Sequence, residues 1–158
     1  MHTNTLEIPK INHMIENVLE GLELKFSFSN NVRKEGCFFL DFIKPMPQGK
    51  SLEYTIVISA KEESQSVTIL VTDIKDFKLK KASEDFYRKL NFLNASTLYG
   101  TVFYFTNSRK ELLVSYSHSI PVNEDYKAFV DNIVTILDYI DFFILEIKNI
   151  LSEDFQVE

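Results

Sequence analysis

The side chains best placed to do chemistry are in the run Ser115-Tyr-Ser-His118, where a hydroxyl nucleophile and an imidazole base lie close in sequence. Acyl transfer needs that hydroxyl and that base within hydrogen-bond reach of each other. In an extended strand successive side chains alternate between faces. Ser117 and His118 therefore point to opposite sides, and only Ser115 and Ser117 share one. No serine sits in a strand-to-helix elbow. The run reads as a polar strand face.

The other reactive groups disperse in the same way. Glu62-Glu63, Glu84-Asp85 and Glu124-Asp125 are neighbours in loops or at helix starts. Solvation and the helix dipole account for them more simply than acid–base catalysis. His2, His13 and His118 are far apart, and with Cys37 as the only cysteine no metal-ligand set is spaced along the chain. Gly21, Gly36, Gly49 and Gly100 occur singly, so no phosphate-binding loop is present. Cys37 opens an apolar strand, where a free thiol behaves as a small apolar group. A lone cysteine excludes an intramolecular disulfide and fits a reducing cytosol. No catalytic residue, metal or cofactor is expected, and the chain is expected not to be an enzyme.

Charge narrows the partners. The net charge of −6 disfavours nucleic acid, which needs a basic surface. Lys75, Lys78, Lys80 and Lys81 form one basic run, expected to be a solvated loop ahead of a helix. The last apolar stretch is broken by Asp131, Asp138, Asp141, Glu146 and Lys148, a charge density no membrane span tolerates. The N-terminal residues show neither a basic region nor an apolar core of a signal peptide. A cytoplasmic protein with no membrane partner is the expectation.

These residues must be positioned by elements that the spacing predicts. With 45% hydrophobic and 25% charged residues, the 158-residue chain suits one globular domain, 1–158, whose 14 Phe imply an aromatic core. A first helix is predicted from about Pro9 to Glu20, with Gly21 just past its end. Leu22, Leu24, Phe26 and Phe28 then alternate with Glu23, Lys25, Ser27 and Ser29, the pattern of a half-buried antiparallel strand. Asn30-Asn31 supplies turn chemistry. Further strands are predicted from Cys37 to Ile43, stopped by Pro45-Met-Pro-Gln-Gly49, and over Glu53 to Ala60 and Ser66 to Thr72. A second helix runs from about Ser83, its N-cap, to Leu93, burying Phe86, Leu90 and Leu93. Strands over Leu98 to Thr106 and Glu111 to His118 flank Asn107-Ser-Arg-Lys110 as a hairpin. After Pro121, Asn123 is placed to cap the last helix. The order α-β-β-β-β-α-β-β-α, with no strand–helix–strand alternation, predicts an α+β fold: an antiparallel sheet of about six strands with three helices.

The last helix carries the sharpest inference. Tyr126, Ile133, Ile140 and Ile147 share one heptad position; Phe129, Ile136, Phe143 and Ile150 a second; Val130, Leu137, Ile144 and Leu151 a third. Together these rows make a core-facing stripe. Phe142 and Leu145 project to nearly the opposite side, among Asp131, Asp138, Asp141 and Lys148. Two large apolar groups on an acidic outer face mark a contact surface, so Phe142, Leu145, Asp138 and Asp141 are the expected interface with a second copy or a protein partner.

The run from Asn91 to Pro121 has Asn94 at a helix exit, Gly100-Thr-Val-Phe-Tyr-Phe in one strand and Leu112-Leu-Val-Ser-Tyr in the next. It resembles the YbjN-like family, whose members are often labelled candidate regulators of bacterial sensory transduction. The wider element order is similar to the type III secretion chaperone fold. The resemblance is closest from Ser83 to about Leu145, rests on structural residues, and carries over no catalytic motif. It implies a non-enzymatic bacterial protein that binds another protein, often as a dimer, as a regulatory accessory or a chaperone-like holder. Two other classes fit the composition: an immunity-type inhibitor presenting carboxylates to a toxin's basic site, and a small-ligand binder.

Overall fold

The computed structural model describes residues 5–30, 36–46, 49, 51–72, 78–79 and 83–151, without the side chains of 78, 79 and 151. Most of the expected basic run (Lys75, Lys80, Lys81) and part of the Asn30-Asn31 and Pro45–Gly49 turns lie outside the described residues.

Helix α1 spans Ile8–Gly21 and buries Ile11, Ile15, Val18 and Leu19. Pro9 occupies its first turn, where a missing N–H costs nothing. Gly21 is the last helical residue rather than the one beyond the end. The left-handed exit falls on Glu23 (φ 57°). The Glu23 N–H donates to the Glu20 carbonyl (3.0 Å) and the Leu24 N–H to that of Leu19 (3.1 Å), a Schellman-type stop. Turning at Glu23 keeps Leu22 and Leu24 both against the core.

Helix α2 spans Glu84–Ser96 and buries Phe86, Leu90 and Leu93 as the spacing predicts. The Ser83 hydroxyl accepts from the Phe86 N–H at 3.0 Å, the expected N-cap. The helix outlasts Leu93 because the Ser96 and Thr97 hydroxyls donate to its final carbonyls. Helix α3 spans Tyr126–Leu151. Its cap is Asp125, not Asn123: the Asp125 carboxylate accepts from the Lys127 N–H at 3.1 Å. Asn123 makes the preceding turn by accepting from the Asp125 N–H at 2.9 Å.

The strands are β1 (Ser27–Ser29), β2 (Cys37–Pro45), β3 (Ser51–Lys61), β4 (Ser66–Thr72), β5 (Lys78–Leu79), β6 (Thr101–Thr106) and β7 (Leu112–Pro121). Every pairing is antiparallel. β7 is the hub: β4 and the two-residue β5 lie along one side and β6 along the other, while β3, β2 and β1 follow outward from β4. Apart from the small β5, the order is the α+β arrangement the sequence predicts. β1 is shorter than the alternation from Leu22 suggests, because the chain is still bound to the end of α1 at Leu24. β6 starts only at Thr101 because Gly100 (φ 81°) bends the chain. A side chain on Gly100 would meet the Ser117 carbonyl at 2.5 Å, so only glycine fits.

One face of the sheet is buried. Leu52, Tyr54, Ile56, Ile58 and Ala60 of β3 alternate with half-buried neighbours, and Val67, Ile69 and Val71 continue the layer in β4. These residues form one cluster with the buried faces of all three helices. Two amide side chains tie the layers together as a strand would. Gln65 accepts from the Leu6 N–H (2.8 Å) and donates to its carbonyl (3.0 Å), fixing the entry to α1. Asn94 accepts from the Val102 N–H (2.7 Å) and donates to its carbonyl (2.8 Å), locking the exit of α2 onto β6. A carboxamide matches the donor and acceptor spacing of a peptide group, which explains an asparagine at that helix exit.

Candidate binding surface

The structure keeps the residues of the Ser115–His118 run apart. Ser115 is buried and pairs across the sheet with Phe103, on the face away from the helices. His118 faces the helix layer opposite Ile69, its ring 5.9 Å from that of Tyr99. Burial pushes its pKa below the ordinary imidazole value. Ser117 points to the other side, so no hydroxyl–imidazole pair forms. Cys37 is half-buried at the start of β2.

The outer face of α3 is organised around two polar pins. On one flank the Asp141 carboxylate takes Lys44 Nζ of β2 at 2.9 Å. Lys44 also donates to the Asp141 carbonyl at 2.7 Å, and the Tyr54 hydroxyl of β3 donates to the same carboxylate at 3.3 Å. Burial, then the Asp141 charge, holds the Tyr54 phenol well above its usual pKa. On the other flank the Tyr139 hydroxyl accepts from the Leu98 N–H at 3.1 Å. Tyr139 stacks on Phe143 (5.3 Å, 15°) and meets Tyr99 edge-on at 5.3 Å.

Between these flanks, at about 100° per residue, Asp138, Leu145 and Phe142 point away from the core. Phe142 is 64% exposed, and Leu98, whose N–H is held by Tyr139 on the flank, is 80% exposed. Leu145 is half-buried and Asp138 exposed. The structure thus brings Phe142, Leu145 and Asp138 onto one face, while Asp141 turns to the flank and fastens the helix to the sheet. Beside it, an open groove of 290 Å³ has apolar walls including Leu24, Phe42 and Leu137 and a rim of Asp138 and Asp141. Neither this groove nor the 470 Å³ cleft between α1 and β1–β2 is lined by His118.

Sequence reasoning missed Leu98, Tyr139, Lys44 and Tyr54. Leu98 is predicted as a strand residue, yet it sits in the bend before Gly100, and its neighbour Tyr99 is fixed there because its carbonyl accepts from the Tyr116 hydroxyl. The only signal in the sequence was an apolar residue wedged between a helix exit and a glycine. Lys44 and Tyr54 lie 97 and 87 residues from Asp141, and no local pattern announces such contacts.

Among the described residues no helix is long and apolar enough to cross a membrane. The sequence matches no protein-family model and no curated protein. In three dimensions it is similar to the crystal structure of YbjN, a candidate transcription regulator from E. coli. The TM-score is 0.64 at 16% identity, over 91% of this chain and 94% of that one. The likeness therefore reaches well beyond Ser83–Leu145 and takes in the first half of the sheet. At this identity it speaks for architecture alone: the chain has the YbjN-like fold.

Proposed function

We propose that this chain is a non-enzymatic protein-binding domain, a regulatory accessory or chaperone-like factor that engages its partner through the outer face of α3. The observation that carries this reading is Phe142, a large aromatic exposed on a helix whose opposite side is buried from Phe129 to Ile147. Leu145 adds apolar surface on the same face, and Asp138 gives it an acidic rim. The buried stripe packs α3 on the sheet and the polar pins add to it on both flanks, so little ordering entropy opposes binding. The YbjN-like fold, known from a candidate regulator, supports the regulatory side of the reading.

The experiment is a double change, Phe142→Asp with Leu145→Asp. The expected result is loss of the protein retained by the native chain in a pull-down, or a halved mass in light scattering if the partner is a second copy, at an unchanged melting temperature. Unchanged mass together with unchanged retention of a partner sinks the proposal.

A further inference from the structure

The second edge of the sheet differs from the first. Beyond β1, the free edge of β2 carries Asp41 and Lys44 and ends in Pro45, residues that discourage strand pairing. The outer edge of β6, Thr-Val-Phe-Tyr-Phe-Thr, carries no charge and no proline. Asn107 donates its N–H to Glu111 (3.0 Å), so the odd-numbered residues of β6 bond to β7 and the even-numbered ones face outward. The outward groups of Val102 are taken by Asn94. Those of Tyr104 and Thr106 have no partner among the described residues. Asn94 therefore fills the first rung of a strand position and leaves the next two open. Around these rungs Tyr104 (42% exposed) packs on Tyr87, and Phe105 is 41% exposed on the opposite face.

The turn at the end of this edge carries Arg109 and Lys110 beside one carboxylate, that of Glu111, which accepts from Asn107 Nδ2 at 3.0 Å. Residues 86–110 contain no Asp or Glu, in a chain of net charge −6, but do contain Arg88, Lys89, Arg109 and Lys110. Lys89 is paired with Asp85, while Arg88, Arg109 and Lys110 form no ion pair among the described residues. The side chain of Asn107 shapes the turn that displays Arg109 and Lys110 by accepting from the N–H groups of Arg109 (2.9 Å) and Glu111 (3.0 Å).

We propose that the outer edge of β6 is a separate docking site, where an extended peptide segment bearing Asp or Glu adds as a further strand over Tyr104–Thr106. The open backbone groups call for a strand. The uncompensated cations beside them call for carboxylates. A second copy would offer only the uncharged β6 edge, with no carboxylate for these cations, and a nucleic acid has no backbone that fills the two rungs. This site lies on a different element from the α3 patch and stands or falls independently of it.

The test uses the full chain and the acetylated, amidated heptapeptide DEVTVYV, with a control in which Asp and Glu are replaced by Lys. Saturable binding is expected, with slowed hydrogen exchange at the Tyr104 and Thr106 amides. Thr106→Pro deletes an outward N–H and leaves the β7 ladder intact, so it should lower affinity about tenfold without moving the melting temperature. Arg109→Glu with Lys110→Glu should have an effect of about the same size, and the Lys control should bind at least about tenfold more weakly. The proposal is overturned by absence of saturation, by equal binding of the two peptides, or by indifference to both variants. It is equally overturned if Thr106→Pro dissociates a dimer of the chain, which would give the edge to a second copy. Stronger protection of the same amides by single-stranded oligothymidine than by the peptide also overturns it.

Discussion

At the residue scale, a few polar side chains do what backbone usually does. Asn94 and Gln65 each present an amide to both the N–H and the C=O of one residue, joining a helix to the sheet without lengthening any strand. Asn94→Asp removes the donor to Val102 and sets a carboxylate against its carbonyl. Chemical denaturation should show a loss of about 2 kcal/mol. Gln65→Glu should behave alike for the same reason, and retained stability in both variants would dismiss the clasps as incidental. Glu23 holds a left-handed conformation that costs an L side chain free energy. Glu23→Gly should raise stability by about 0.5–1 kcal/mol, read as a higher denaturation midpoint at constant slope. The spacing of the sequence marks Asn94 as a helix exit, yet its work is visible only once Val102 lies beside it. Gly21 shows the converse: the local signal for a helix stop is present, but packing of Leu22 and Leu24 moves the stop two residues on.

Among the elements, α3 is the most legible and the most consequential. Its heptad rows predict most of the buried set: Phe129, Ile133, Ile136, Ile140, Phe143, Ile144 and Ile147 are buried, Val130, Leu137 and Ile150 are partly so, and Tyr126 in the first turn is exposed. Phe143 also meets Tyr116 edge-on at 5.8 Å, so Phe143→Ala should cost about 3–5 kcal/mol. The pins on its flanks are weaker. Lys44 is mostly covered but Asp141 is 59% exposed, so Asp141→Asn should cost no more than about 1 kcal/mol, a loss that fades as salt is added. A salt-independent loss of several times that size would show that the carboxylate does more than hold Lys44 and Tyr54. The outer position of Phe142 and Leu145 follows from helix geometry alone. The different fates of Asp138 and Asp141 do not, because they depend on where β2 and β3 pass.

For the whole molecule, the layering of three helices on one sheet face sets how stability responds to pH. Burial holds the His118 pKa below about 6.5, so the unfolded chain takes up a proton there more readily than the folded one. Its contribution is present above that pH and is lost as the pH falls through the folded value. His118→Gln should flatten the acid limb of a stability–pH curve, and an unaltered limb would remove the histidine from the account. Tyr54 and Tyr116, both raised chiefly by burial, act at the other end. Their contribution is intact below about pH 10 and is lost as the pH rises toward their folded values, so Tyr54→Phe should soften alkaline unfolding. The sequence by itself determined the element order apart from β5, the α+β class, most of the core stripes and the outward position of Phe142, because periodicity and capping are local and follow from a few consecutive residues. Only the tertiary structure decided that the Leu98 bend is held by Tyr139, that Asp141 fastens α3 and that β6 keeps an open edge. Each of these depends on contacts between segments distant in sequence or on a strand left without a neighbour, and no local pattern encodes either.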